Sequence, residues 1–317
     1  MSILLVPKPG PLFVDKLSMT LDVPESNKKT VVKNFIEVIG EFYGGKLWES
    51  TTYHCNKNVY VDGEYILFQC GPKGNKMNLF RVAYNPSKID PSEVAKIANL
   101  VLPGGYEELI EYGRITRIDI AVDCKYLPVR NLFFQYPGLA VSKNHLKSGS
   151  IQTAYLGGDE SPNQFVLYDK VAEIKHNNSK HGNQVKVAVP SCSMTRIEWR
   201  YRPKEICTFK TLLSTGNNFE NLSLGMMGNQ PKMPSNDLEG FIKLVFELSK
   251  YHGLQQALFN VPKSRRKEVM EAIVKLCKTS WWKPAELWQT LPAALEPIIN
   301  PVMPYGYPEK VNKSNET

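Results

Sequence analysis

The sequence lacks a Cys-x-x-Cys pair and any cluster of cysteine with histidine, and its six cysteines are scattered from Cys55 to Cys277. Neither a zinc site nor a disulfide framework is indicated, and a reducing cytoplasm is the expected setting. No uncharged run approaches the roughly 18–20 residues needed to span a bilayer, so no membrane partner is expected. The apolar opening Ile3-Leu4-Leu5-Val6 breaks at Pro7-Lys8-Pro9-Gly10, too early for the core of a signal peptide. A G-x-x-x-x-G-K-[ST] phosphate loop is also missing, and Gly104-Gly105 and Gly157-Gly158 read as turns, which argues against a nucleotide-driven motor. What is present is a basic surplus, 39 Lys+Arg against 31 Asp+Glu for a net charge of +8. That surplus tilts the partner towards nucleic acid or anionic lipid. With 42% hydrophobic and 22% charged residues, the chain is neither globally disordered nor a coiled coil. Its 317 residues suit two modest domains, or one with a helical tail.

The pattern predicts a first strand over 13–23 and then a helix capped at Ser26-Asn27, with the stripe Val32, Phe35, Ile36, Ile39 and Phe42. Strands over 59–70 and 78–84 are predicted to flank the turn Gly71-Pro72-Lys73-Gly74. Asp90-Pro91-Ser92-Glu93 starts a helix that stops before Pro103. The second half predicts strands over 115–122, 151–156, 164–168 and 194–201, with a short helix near 129–134 and a polar loop around 177–183. The expected fold is α+β: a mainly antiparallel central sheet with packed helices, two α+β halves of similar order, and a C-terminal helical region. The expected boundaries are 1–223 for the main domain, a Met/Gly/Pro/Asn-rich linker over 224–236, helices over 237–303 and a disordered tail over 304–317.

Three strands carry ionisable residues where a plain core strand would not. In Arg117-Ile118-Asp119-Ile120-Ala121-Val122-Asp123, alternation puts Asp119 and Asp123 on one face. They stand about 13–14 Å apart on a straight strand, too far to share one ion unless it bends. One then serves as a ligand and the other as a partner for an arginine, while a solvated acidic face is the simpler reading of the strand alone. In Tyr168-Asp169-Lys170, the first and last residues share a face about 6.6–7 Å apart, within reach of one phosphate. A free phenol ionises near pH 10, so a nucleophilic Tyr168 needs a cation such as Lys170 or a metal beside it. A tyrosine covering the core rim is the simpler alternative. The third strand presents Arg196, Glu198, Arg200 and Arg202 on one face, which suits phosphate contact or a cross-strand ladder of ion pairs. Lys263, Arg265, Arg266 and Lys267 open a helix, where positive charge opposes the macrodipole and invites an external anion such as DNA phosphate, with a solvated charge run as the equal alternative. The tryptophans Trp281, Trp282 and Trp288 read as a packed face rather than a base-stacking platform.

The order R-I-D-I-A-V-D, then Y-L-G-x(3)-S-x(6)-Y-D-K-x-x-E, then R-I-E-W-R resembles the replication-initiation-factor (Rep-trans) family of rolling-circle plasmids and phages, with its related mobilisation relaxases. The resemblance covers 114–202, with weaker support from Phe13-Val14-Asp15-Lys16-Leu17-Ser18. It implies a site-specific DNA nicking-closing enzyme of a bacterial cytoplasm, whose tyrosine forms a 5′-phosphotyrosyl intermediate and frees a 3′-hydroxyl primer. By the resemblance the nucleophile falls on Tyr168, with Lys170 beside it. Asp123, Asp119 and Glu198 would hold Mg²⁺ or Mn²⁺, in keeping with hard oxygen ligands and no His-hydrophobic-His pair. Arg196, Arg200, Arg202 and the 263–267 cluster would contact DNA, double-stranded and single-stranded at the origin. A host helicase would separate the strands, and a homodimer is compatible with the family. One departure stands out, because plasmid members often place arginine two residues before the tyrosine and Val166 stands there instead. A mobilisation relaxase and a catalytically silent DNA-binding regulator are the alternatives.

Overall fold

A computed structural model of the chain describes residues 6–43, 46–74, 78–138, 141–147, 150–180, 186–226, 238–252, 254–277 and 279–303. The fold is α+β, with a large, mainly antiparallel sheet. Its strands begin with β1 (Lys8–Pro9), β2 (Phe13–Leu21), β3 (Tyr53–Val61), β4 (Glu64–Pro72), β5 (Phe80–Tyr84) and β6 (Arg114–Lys125). They continue with β7 (Leu132–Gln135), β8 (Val141–Lys147), β9 (Ser150–Leu156), β10 (Asn163–Asp169), β11 (Met194–Tyr201) and β12 (Ser223–Met226). The helices are α1 (Glu25–Tyr43), α2 (Pro91–Val101), α3 (Gly105–Tyr112), α4 (Lys170–Lys180) and α5 (Phe209–Leu212). After them come α6 (Glu239–His252), α7 (Leu254–Leu258), α8 (Arg266–Cys277), α9 (Pro284–Trp288) and α10 (Leu291–Ile299). Among the described residues no helix is long and apolar enough to cross a membrane.

Contacts divide the chain into two units, each assembled from three stretches. The first contains Phe13–Ile120, Tyr201–Gly216 and the segment from Leu291; the second contains the segment up to Leu12, Ala121–Arg200 and Asn217–Thr290. Of the helices beyond residue 237, α6 to α9 go with the second unit and α10 with the first. The expected linker overlaps β12, and its residues 227–236, like the expected tail, lie outside the described residues.

In the first unit the strand order is β3-β4-β5-β2-β6. One face of β2 presents Leu17, Met19 and Leu21, all buried, as period-two alternation requires. Phe35 of α1 meets Phe80 edge-on at 6.3 Å, and Phe80 meets Phe68 at 6.0 Å. Helix α2 begins as its sequence predicts: Asp90 accepts a hydrogen bond from the Ser92 N–H at 2.9 Å, and Pro91 fills the first turn. The predicted single strand over 59–70 is two strands. Asp62 and Gly63 both adopt positive φ and close the β3–β4 hairpin in a two-residue turn.

In the second unit the order is β6-β11-β10-β9-β8, and β1 pairs antiparallel with β6. The predicted helix near 129–134 is a 3₁₀ turn, Val129–Asn131, followed by β7, which pairs with β12. Of the polar loop predicted around 177–183, residues 177–180 are the end of α4, a helix that follows β10 without a gap, and 181–183 lie outside the described residues. Asp169 makes that sharp entry by accepting the Ala172 N–H at 2.9 Å. Phe165, Trp199 and Phe219 form an aromatic core that Trp282 and Trp288 join at 6.2 and 6.0 Å. The Trp282 indole N–H donates to the Leu222 carbonyl, so these tryptophans are packed.

A second core, of Leu238, Ile242, Val245, Phe246, Val269 and Ile273, holds α6 and α8 together. Ile273 is 0% exposed, whereas Leu244 on the outer side of α6 is 41% exposed. Ile273→Ala is expected to cost about 2–5 kcal/mol in urea unfolding, and Leu244→Ala to stay within about 0.5 kcal/mol. Equal effects would show that this helical core is not formed as described.

Candidate active site

Alternation along β10 separates two sets of side chains. Phe165 and Leu167 point into the aromatic core, leaving Gln164, Val166 and Tyr168 on the opposite face. Tyr168 is half-buried at the penultimate position of the strand, directly opposite Thr153 of β9. Because the chain enters α4 at once, Lys170 is held at the first helical position and is 9% exposed. Its ammonium lies 5.9 Å from the centre of the Tyr168 ring and forms an ion pair with Glu173. The predicted meeting of Tyr168 and Lys170 is thus present.

Strand β11 supplies the charged row. Arg196, 7% exposed, grips Asp123 of β6 with both prongs of its guanidinium, at 2.7 and 2.9 Å. Glu198, 2% exposed, accepts from Arg200 Nε at 2.5 Å. Arg200 also donates to Gln164 at 3.5 Å and lies over the Tyr155 ring at 5.8 Å. Gln164 is itself fixed from the other side, donating to the Gly157 carbonyl and to Asp159. Asp119, in the first unit's part of β6, is held bidentately by Arg117 at 2.8 and 2.6 Å. Arg202 lies beyond the end of β11, half-buried, in the first unit.

The three carboxylates that the resemblance assigns to a metal therefore each face an arginine. Among the described residues no group of three His, Cys, Asp or Glu side chains converges to hold an ion. A donor set already occupied by guanidiniums does not fit a resident Mg²⁺ or Mn²⁺, and no chemical step is assigned to one.

A scan against models of protein families finds no match for the chain, and a search of the curated proteins finds none. Among solved structures, a rolling circle replication initiator protein from Geobacillus stearothermophilus is similar to it at 17% sequence identity and a TM-score of 0.32. That likeness covers 63% of this chain and 76% of the other. So low a score carries no weight for function, which rests on the chain's own residues.

Two features of the site were not legible in the sequence. Gln164 is fully buried and links the Arg200 guanidinium to the Gly157 turn, a role that only the fold reveals. An open polar cleft of about 400 Å³ lies beside the β10–α4 junction, lined by Gln152, Asp169, Lys175, His176 and Ser179. Of the other tyrosines, Tyr155 lies opposite Val166 and so shares the Tyr168 face. Tyr201 alternates with Arg200 onto the Trp199 side of β11, and burial pushes its phenol up.

Arg265 pairs with Glu268 at 2.8 Å and Lys267 approaches Glu271 at 4.0 Å, so acids in α8 offset the charge that was expected to need an external anion. Arg266 donates to the carbonyls of Val261 and Phe259 and covers the Phe259 ring at 4.9 Å, which makes it a structural tie. Lys263 lies exposed in the turn before α8.

The Arg196–Asp123 pair yields a direct test. Asp123→Ala leaves a guanidinium whose side chain is only 8% exposed without its anion. A double-mutant cycle with Arg196→Met should show a coupling of about 1–3 kcal/mol in chemical unfolding. Additive effects would mean that the two side chains are not partners.

Proposed function

We propose that the chain is a rolling-circle replication initiator, a site-specific single-strand endonuclease and ligase acting on origin DNA. The observation that carries this reading is Tyr168, half-buried at the end of β10, with the Lys170 ammonium 5.9 Å from its ring. In the proposed reaction the phenol loses its proton and its oxygen attacks the scissile phosphorus. A bond forms from tyrosine to the 5′-phosphate, and the 3′-oxygen departs and is protonated to the primer hydroxyl. Rejoining runs the same steps backwards. Lys170, paired with Glu173, is the cation set beside the phenol that must lose its proton. Arg200, oriented by Glu198 and with its side chain 23% exposed, is the guanidinium of the β11 row offered to phosphate, whereas Arg196 is committed to Asp123 by both prongs.

The reading leaves strand separation to a separate helicase, because the sequence carries no phosphate loop. The non-catalytic regulator is favoured by one observation: Val166, where plasmid members often carry arginine, is 1% exposed and packed. A single substitution separates the two. Tyr168→Phe removes one oxygen and should change stability by less than about 1 kcal/mol while leaving DNA binding intact. Single-stranded DNA from the region flanking the coding sequence, labelled at its 3′ end, should form a covalent adduct with the wild type on a denaturing gel. The variant should form none. An adduct that survives Tyr168→Phe overturns the assignment, and no adduct with the wild type favours the regulator.

A further inference from the structure

Two of the first unit's thiols, neither used by the proposed nicking chemistry, face each other across a hairpin. Cys55 of β3 and Cys70 of β4 are direct partners in the antiparallel register. Directly opposed residues send their side chains to the same face of a sheet. The register runs without a shift from the Asp62-Gly63 turn, where Val61 and Glu64 flank a two-residue loop as a hydrogen-bonded pair. Cys55 and Cys70 lie an even number of steps from that pair and so belong to the same class. Cα atoms in such pairs stand about 5.5 Å apart, within the Cα span of a disulfide, while their Cβ atoms, at the wide end of about 4.5–5.5 Å, must draw in to the roughly 3.5–4.5 Å of a disulfide, which makes the bond strained and readily reduced. Cys70 is buried and Cys55 half-buried, so an oxidant has access to one member and a resolving thiol waits behind it. Burial pushes both thiols up, Cys70 to about 12, and the charge of an ionised Cys55 further opposes the ionisation of Cys70. Thiols held so largely protonated are slow to react at neutral pH.

We propose that Cys55 and Cys70 are a thiol–disulfide site, forming a reversible cross-strand bond when the surrounding glutathione pool turns oxidising. In the first step the Cys55 thiolate attacks one sulfur of glutathione disulfide, giving a mixed disulfide and a glutathione thiolate. The Cys70 thiolate then attacks the Cys55 sulfur, and the second glutathione leaves. The protons of the two protein thiols end on the two glutathiones. Two electrons pass from the cysteines to the oxidant, and nothing is added to the protein.

The test uses the full chain, reduced, freed of reductant and incubated with glutathione disulfide, then blocked with N-ethylmaleimide and digested without reduction. A peptide joining Cys55 to Cys70 is expected, lighter by two hydrogen atoms than its two parts and abolished by dithiothreitol. Cys70→Ser, checked for an unchanged circular dichroism spectrum, should instead stop at a stable glutathione on Cys55. Half-buried Cys192 provides the internal control for an accessible thiol. Glutathione retained on Cys55 of the wild type would overturn the proposal. So would Cys55 and Cys70 both blocked by the maleimide only after unfolding, with Cys192 already glutathionylated.

Discussion

A guanidinium taken out of water must meet a carboxylate, and that constraint arranges β11 and its neighbours. Arg196 reaches Asp123 of β6, and Glu198 holds Arg200 against Gln164. Each bond ties a charged side chain to a fixed place on one face of the second unit's sheet, while Trp199 on the other face enters the aromatic core. A strand with a charged face and an aromatic face has only one register in which both are satisfied, because a slip of one residue would exchange them.

The β10–α4 junction extends this arrangement to the tyrosine. Asp169 caps the helix, so the chain turns from strand to helix within a residue. Tyr168 thereby stays on the strand face while Lys170, two residues on, is held within 5.9 Å of its ring. Buried Val166 and Gln164 complete that face, one packing it and one anchoring Arg200.

Much of this was legible in the sequence, for physical reasons that can be named. Alternation in β6, β10 and β11 revealed which charged residues share a face, and Asp90-Pro91 marked the start of α2. The β3–β4 hairpin was missed because an apolar stretch on both sides concealed Asp62-Gly63, although that dipeptide is a strong hairpin signal. Helix α4 was missed because its residues are mostly polar and its cap, Asp169, lies inside a motif read for chemistry. The metal expectation came from the family resemblance, and local sequence does not tell a metal ligand from an arginine partner. At the 263–267 cluster the acids Glu268 and Glu271 were in plain view, but their pairing depends on where α8 begins. The interleaving of the two units, with β6 entering both, has no local signature at all.

The central claim is that Tyr168 is the atom donor to DNA, and the most direct measurement is the chemical location of the adduct. Wild-type protein captured on single-stranded DNA from the region flanking its coding sequence would be digested with protease and nuclease and sequenced by tandem mass spectrometry. The account predicts a nucleotide 5′-phosphate on the peptide at Tyr168 and on no other residue. The same mass on Tyr155, or on any residue other than Tyr168, would contradict it.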